Sequence, residues 1–175
     1  VSDVSSIIKY FKLILSNPSI LQHDITRLLG NQSGLLNALG DDIFKPCFGY
    51  LKQQPPTAED VLLKVFHHIG SLDAYTIKQA DGEIGLRTSI GNQYFGVINI
   101  GDVPKYAKKL EEDTNGELLI QDDNFTKSLF QSISSPNSPI HILIGSKKFV
   151  EGWSSWRVSS MGLMNMGKSE GSQII

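Results

Sequence analysis

Two stretches near the end of this 175-residue chain hold residues whose types and spacing could do chemistry. The first, Ile142-Leu-Ile-Gly-Ser-Lys-Lys-Phe-Val-Glu-Gly-Trp-Ser-Ser-Trp-Arg-Val158, reads as an apolar strand running into a charged, glycine-containing loop with two tryptophans. A small residue after a strand, Gly145 or Ser146, lets a phosphate come close to backbone N–H groups and a hydroxyl. Gly152 permits a tight turn or a close approach. Lys147 and Lys148 offer charge to a phosphate. Trp153 and Trp156 could stack on a base, but packing is the commoner use of tryptophan and is the reading taken for both. Loops at the carboxyl end of a strand are where open α/β sheets place their ligands.

The second stretch, Gly162-Leu-Met-Asn-Met-Gly167-Lys168-Ser169, fits the phosphate-binding pattern G-x-x-x-x-G-K-[ST] letter for letter. A loop that wraps phosphate needs small, turn-forming spacers, whereas Leu163 to Met166 look like the end of a strand. No acidic strand end follows, and Val97-Ile-Asn-Ile-Gly-Asp102 is a weak candidate upstream, so the match reads as coincidence. The four histidines read as structural. His67 and His68 are helix neighbours that point apart, and His23 and His141 have no acidic or cysteine companion at ligand spacing. Asp122-Asp123 reads as a helix cap.

Composition sets bounds on these candidates. The length suits one domain with a real core. A net charge of −2 argues for no particular partner. Cys47 is the only cysteine, which excludes an intramolecular disulfide and a finger-type metal site and fits a reducing compartment such as the cytoplasm. No apolar run approaches the ~20 residues of a membrane span, and no signal peptide is visible. Charge is uneven. Residues 111–125 are acidic, while in 140–175 Lys147, Lys148, Arg157 and Lys168 outnumber Glu151 and Glu170. That excess is compatible with a phosphate-backbone contact surface.

The elements that must position the loop divide in two. Residues 1–70 read as helical. Val4, Ile7, Ile8, Phe11, Ile14 and Leu15 recur at three- and four-residue spacing, and Ile20 to Leu29 repeat the pattern after Asn17-Pro18, with Gly30 as a stop. Leu35, Leu36 and Leu39 suggest a short third helix. Thr57-Ala-Glu-Asp60 resembles a capping box before Val61 to Ile69. From residue 74 the period becomes two. Asp81-Gly82 predicts a two-residue hairpin turn with Ile77 opposite Leu86. Strands over Tyr94–Ile100, Glu117–Gln121 and Ile140–Ile144 then alternate with helices from Val103 and from Asp123, and a last strand falls within Arg157–Met166. The expected fold is α/β, a parallel sheet with flanking helices, a β-hairpin and an N-terminal helical segment.

The 142–158 stretch also resembles motif V of superfamily 2 helicases and translocases, in the DEAD/DEAH-type form related to the Res subunit of type III restriction enzymes. The resemblance covers about residues 92–175 and is poor over the first 70. It implies that residues 71–175 are part of a second RecA-like domain, truncated before motif VI (Gln-x-x-Gly-Arg-x-x-Arg), and that 1–70 are a linker or insertion. The ends agree with a piece cut from a larger protein. Val1 is not methionine, and Ser169 opens a helix that stops at Ile174-Ile175 without a cap. By the resemblance Ser146 contacts a nucleic-acid phosphate, Gly152 is the motif's glycine, and Glu151 and Ser154 lie near the nucleotide. The family often carries Asp where this chain has Ser154. Lys147 and Lys148 join the nucleic-acid contacts by charge alone. The implied partners are DNA, the first RecA-like domain of the same parent and a methyltransferase subunit, with no membrane. The implied cofactors are ATP and Mg2+, held by the parent and not by this chain. No catalytic residue falls within the chain, which alone is expected neither to hydrolyse ATP nor to unwind DNA. Two other readings stay open: a non-catalytic α/β module that binds nucleic acid or protein, and a small nucleotide binder using Gly167-Lys168-Ser169.

Overall fold

The computed structural model describes residues 2–145 and 156–162. Its first half is helical for the reasons the periodicity gives. In α1 (Ser2–Ser16) the apolar stripe buries Ile8, Ile14 and Leu15. Pro18 cannot continue that helix, because it lacks the N–H the ladder needs, and it opens α2 (Pro18–Leu29) instead. At Gly30 the chain leaves α2, with the Gly30 N–H still donating to Thr26 O at 2.9 Å.

The expected third helix is absent. Leu35, Leu36 and Leu39 are exposed in a loop, and the next helix, α3, is Gly49–Gln53. Short polar side chains take the backbone donors that a helix would need. The buried Asp42 carboxylate accepts from Ser33 N at 2.6 Å and Phe44 N at 2.9 Å, and Asn37 Oδ1 accepts from Leu39 N and Asp41 N. The capping box at Thr57 does form. Asp60 N donates to Thr57 Oγ1 at 3.1 Å and Thr57 N donates to the Asp60 carboxylate at 2.9 Å, which starts α4 (Ala58–Val65).

Five strands make one sheet: β1 (Leu72–Ile77), β2 (Glu83–Thr88), β3 (Gly96–Asn99), β4 (Ile120–Asp123) and β5 (Ile142–Gly145), in the order β4-β1-β2-β3-β5. The α/β class, the flanking helices, the hairpin and the N-terminal helical segment are as expected, an arrangement consistent with part of a RecA-like domain. The sheet itself is mixed. β4 and β5 pair in parallel with β1 and β3, while β2 runs against both of its neighbours. Chain length is the reason. The links on either side of β2 are too short for the crossover of a dozen or more residues that a parallel pairing requires. By contrast β4 and β5 follow α5 (Val103–Asp113) and α6 (Leu129–Ser132).

The hairpin register also differs from the two-residue expectation. Ala74 lies opposite Leu86 and Thr76 opposite Ile84, so Ile77 and Leu86 fall on opposite faces. The connection is longer, with Gly82 at φ +82°, and Gly82 O accepts from Ile100 N at 2.7 Å. A side chain at Gly82 would meet Ile100 O at 2.4 Å, so the turn is fixed by its approach to β3 as well as by its own geometry. The helix expected from Asp123 is reduced to α6, because the Asp123 carboxylate accepts from Phe125 N and Thr126 N in a local turn. Residues 156–162 contain no strand, and the remainder of the expected last strand lies outside the described residues.

Each face of the sheet has its own core. On one, Leu72, Ala74, Ile84, Leu86, Phe95 and Ile98 pack with Ile8, Leu15, Leu62, Phe66 and Leu110, so the helices of residues 1–70 and α5 share one interior with the sheet. On the other, Tyr75, Ile77, Tyr94 and Val97 meet Leu129, Ile133 and Ile140. Each such apolar side chain removed from water contributes about 1.5–3 kcal/mol.

Gly85, in mid-β2, makes the second core possible. A Cβ there would sit 2.6 Å from the Tyr94 ring and 2.9 Å from Leu129 Cδ1. Gly85→Ala is therefore expected to destabilise the protein by about 2–3 kcal/mol in urea unfolding. A loss well under 1 kcal/mol would mean that Tyr94 does not rest on this backbone.

Candidate functional site

β1, β3, β4 and β5 all point the same way, so their carboxyl ends lie along one edge of the sheet. Asp123 stands beside Ile77 there, and Glu83, at the start of β2, stands beside Asn99, which stands beside Gly145. Asn99 is 4% exposed and Gly145 is exposed. Asp102 follows β3 and caps α5 by accepting from Lys105 N at 3.1 Å. The chain thus leaves β5 from a side-chain-free position next to a buried amide.

The residues singled out from the sequence, Ser146, Lys147, Lys148, Glu151, Gly152 and Ser154, lie outside the described residues, as does Trp153. The structure describes the two ends of that loop. One is β5, apolar and half-buried to buried until Gly145. The other is Trp156–Gly162, and there the packing expectation for Trp156 fails: its side chain is fully exposed, at 106% relative accessibility. Of the phosphate-loop match only Gly162 is described, and it is exposed.

The carboxylates at the strand ends have structural partners. Glu83, 3% exposed, accepts from Ser128 Oγ at 2.5 Å, Leu129 N at 2.8 Å and Phe130 N at 3.2 Å, which fastens the start of α6 to β2. Asp123 accepts from Thr126 Oγ1 and from Tyr94 OH, both at 2.6 Å, besides two backbone N–H groups. Burial pushes the Asp123 carboxyl up. The hydrogen bonds from Thr126, Tyr94 and Phe125 outweigh burial and hold it well below the usual carboxylate range. Burial and the adjacent Asp123 carboxylate push the Tyr94 phenol well above its ordinary value. Arg87 lays its guanidinium 4.0 Å from the centroid of the Tyr75 ring and 5.6 Å from that of Tyr94.

Sequence reasoning read the histidines as structural, which fits His67 and His141, but it placed His67 and His68 in a helix, whereas α4 ends at Val65, and it missed the pairing of His67 with His141. His67 Nε2 bonds Pro139 O at 2.8 Å, His141 Nδ1 bonds Val65 O at 3.0 Å, and the ring centroids are 4.7 Å apart. This reciprocal contact joins the end of α4 to the entry of β5. His67 holds it from a left-handed backbone, φ +68°. Nothing in local spacing signals a pair so far apart in sequence. Nor did local pattern signal Glu83, a strand residue whose role depends on α6. Among the described residues no group of three or more His, Cys, Asp or Glu side chains could hold a metal ion, and no helix is long and apolar enough to cross a membrane.

The comparisons with known proteins add no family: no family model, no curated protein and no solved structure matches this chain.

The Asp123 geometry sets a pH dependence. The folded protein holds this carboxyl below its unfolded value, so its contribution is complete above the unfolded pKa and is lost as pH falls through the folded one. Asp123→Asn is expected to lower stability near neutrality and to flatten the decline in stability below about pH 4, read from urea midpoints against pH. Parallel pH curves for the two proteins would refute the assignment.

Proposed function

We propose that this chain is part of an ATP-dependent DNA helicase or translocase of the type III restriction Res-subunit-like kind, in which the loop after β5 contacts the DNA backbone and faces the ATP cleft. The observation that carries the reading is the setting of β5. An apolar strand, parallel to β3, ends at exposed Gly145 on the edge where the other parallel strands end, and the sequence continues into Ser146-Lys147-Lys148. Open α/β sheets bind ligands at such an edge. A glycine and a serine at a strand end leave room for phosphate oxygens to meet N–H and hydroxyl donors, and the lysines supply charge.

In this reading Ser146, Lys147, Lys148 and Gly152 serve the nucleic acid, and Glu151 and Ser154 lie towards the nucleotide. ATP and Mg2+ belong to the parent motor, which works in the cytoplasm with a first RecA-like domain and a methyltransferase subunit as partners. Glu83, Asp102 and Asp123, at or just after the strand ends, are each engaged in capping contacts.

A second reading, a non-catalytic α/β module that binds a protein, draws on the exposed Leu35, Leu36, Leu39, Ile43 and Tyr50 of the helical half. Binding of a DNA oligonucleotide separates the two. The motor reading expects salt-dependent binding, with Lys147→Ala and Lys148→Ala each lowering the slope of log K against log salt by about 1. It also expects no ATP turnover by the chain alone. Salt-independent or absent binding would favour the protein module, and turnover by the purified chain would sink the claim that this portion lacks the catalytic groups.

A further inference from the structure

We propose that the outer edge of β4 docks an extended, lysine- or arginine-rich segment of a partner protein, which adds to the sheet as a further strand. β4 stands at one end of the strand order, with β1 on one side and, among the described residues, no strand on the other. Along such a strand both backbone groups of one residue point to one side, and those of the next residue to the other. The Asp123 carbonyl accepts from Lys78 N at 2.8 Å, so Asp123 faces β1, while Ile120 and Asp122 face outward. The Glu111 carboxylate takes one outward group, accepting from Ile120 N at 3.0 Å. Among the described residues the Ile120 carbonyl and both the N–H and the carbonyl of Asp122 have no partner. Gln121 and Asp122 are exposed, so nothing described covers this edge. An acceptor, a donor and an acceptor in succession are what an extended peptide pairs with.

The charge around the edge selects the occupant. Residues 111–125 include Glu111, Glu112, Asp113, Glu117, Asp122 and Asp123, and no lysine or arginine. α5 passes from basic to acidic along its length, and its acidic end is the one that meets β4, through Glu111. Lys12 and Lys78 also reach this surface, paired with Glu117 and Asp122. Solvent-exposed pairs of this kind are worth little, so an incoming cation replaces the lysines at small cost. A second copy of this chain fits less well, because edge-to-edge pairing sets acid beside acid. Nucleic acid is repelled by the same carboxylates. A basic peptide gains backbone bonds, which give affinity, and opposite charge, which gives selectivity. The inference stands apart from the DNA-contact reading, since β5 and the loop after it lie at the opposite edge of the sheet.

The test uses the whole chain and a fluorescein-labelled octapeptide of alternating lysine and valine, followed by anisotropy at low salt. Micromolar binding is expected, weakening as salt is raised, and none is expected when glutamate replaces lysine in the peptide. The same peptide N-methylated throughout keeps its charge and loses its backbone donors, and it should bind about 10-fold more weakly or worse. Asp122→Pro removes the outward N–H at a position where an edge strand tolerates proline. It should weaken binding about 3- to 10-fold with an unchanged thermal transition. Hydrogen exchange at the Asp122 amide should slow when the peptide binds, and this decides the matter alone if the proline variant does not fold. Equal binding of the N-methylated peptide reduces the contact to charge attraction and overturns the inference. So does peptide binding that leaves Asp122 exchange unchanged, and so does no binding of the lysine–valine peptide at low salt.

Discussion

The burial of Phe95 is the constraint on which most of this structure depends. Its ring is fully buried, edge-on to Phe66 with centroids 4.7 Å apart and to Phe11 at 6.3 Å, so it joins α1 and the end of α4 to the sheet. Its backbone is equally occupied. The Phe95 N–H donates to Leu86 O at 3.0 Å, and its carbonyl accepts from His141 N at 2.7 Å and Ile142 N at 3.0 Å. One residue thus fastens β2 on one side and the entry of β5 on the other, while its side chain fastens the helices. Aromatic edge contacts of this kind add about 0.5–1.5 kcal/mol to what area burial supplies.

The opposite face follows a different rule. Among the described residues its core is the smaller one, and polar bonds add to it. Glu83 takes the first N–H groups of α6, and Asp123 takes those of the turn after β4. Tyr94 crosses the bare backbone of Gly85 and reaches Asp123 with its hydroxyl. These carboxylates look like catalytic candidates by type and by position at the strand ends. Their bonds fasten α6 to β2 and shape the turn after β4.

Local chemistry was legible in the sequence where it acted within a few residues. The α1 stripe, the break at Pro18, the Thr57 capping box, the helix from Val103 and the approximate strands β3 and β5 all follow from residues within a few positions of one another. What the sequence concealed was decided at a distance or by competition. Leu35, Leu36 and Leu39 have helical spacing, but Asp42 and Asn37 offer nearer partners to the same backbone. The hairpin register depends on Gly82 meeting Ile100, outside the hairpin itself. The His67–His141 contact joins residues that no local pattern links. For the candidate loop the residues singled out from the sequence lie outside the described residues, and the structure describes the exposed Gly145 before them and the exposed Trp156 and bonded Arg157 after them.

The reversed direction of β2 bears on how the chain assembles. β1, β2 and β3 are joined by short links and can pair in order, each strand adding beside the last at small loop-closure cost. β4 and β5 pair with strands much earlier in the chain and must first close long loops through α5 and α6. Loop closure thus favours the meander as the nucleus, with the two outer strands expected to pair later. β5, the strand that leads into the loop, docks against a β3 already in place. Its last pair, Asn99 with Gly145, closes the sheet at the edge where the chain leaves β5, so that edge is completed only after the inner strands are in register.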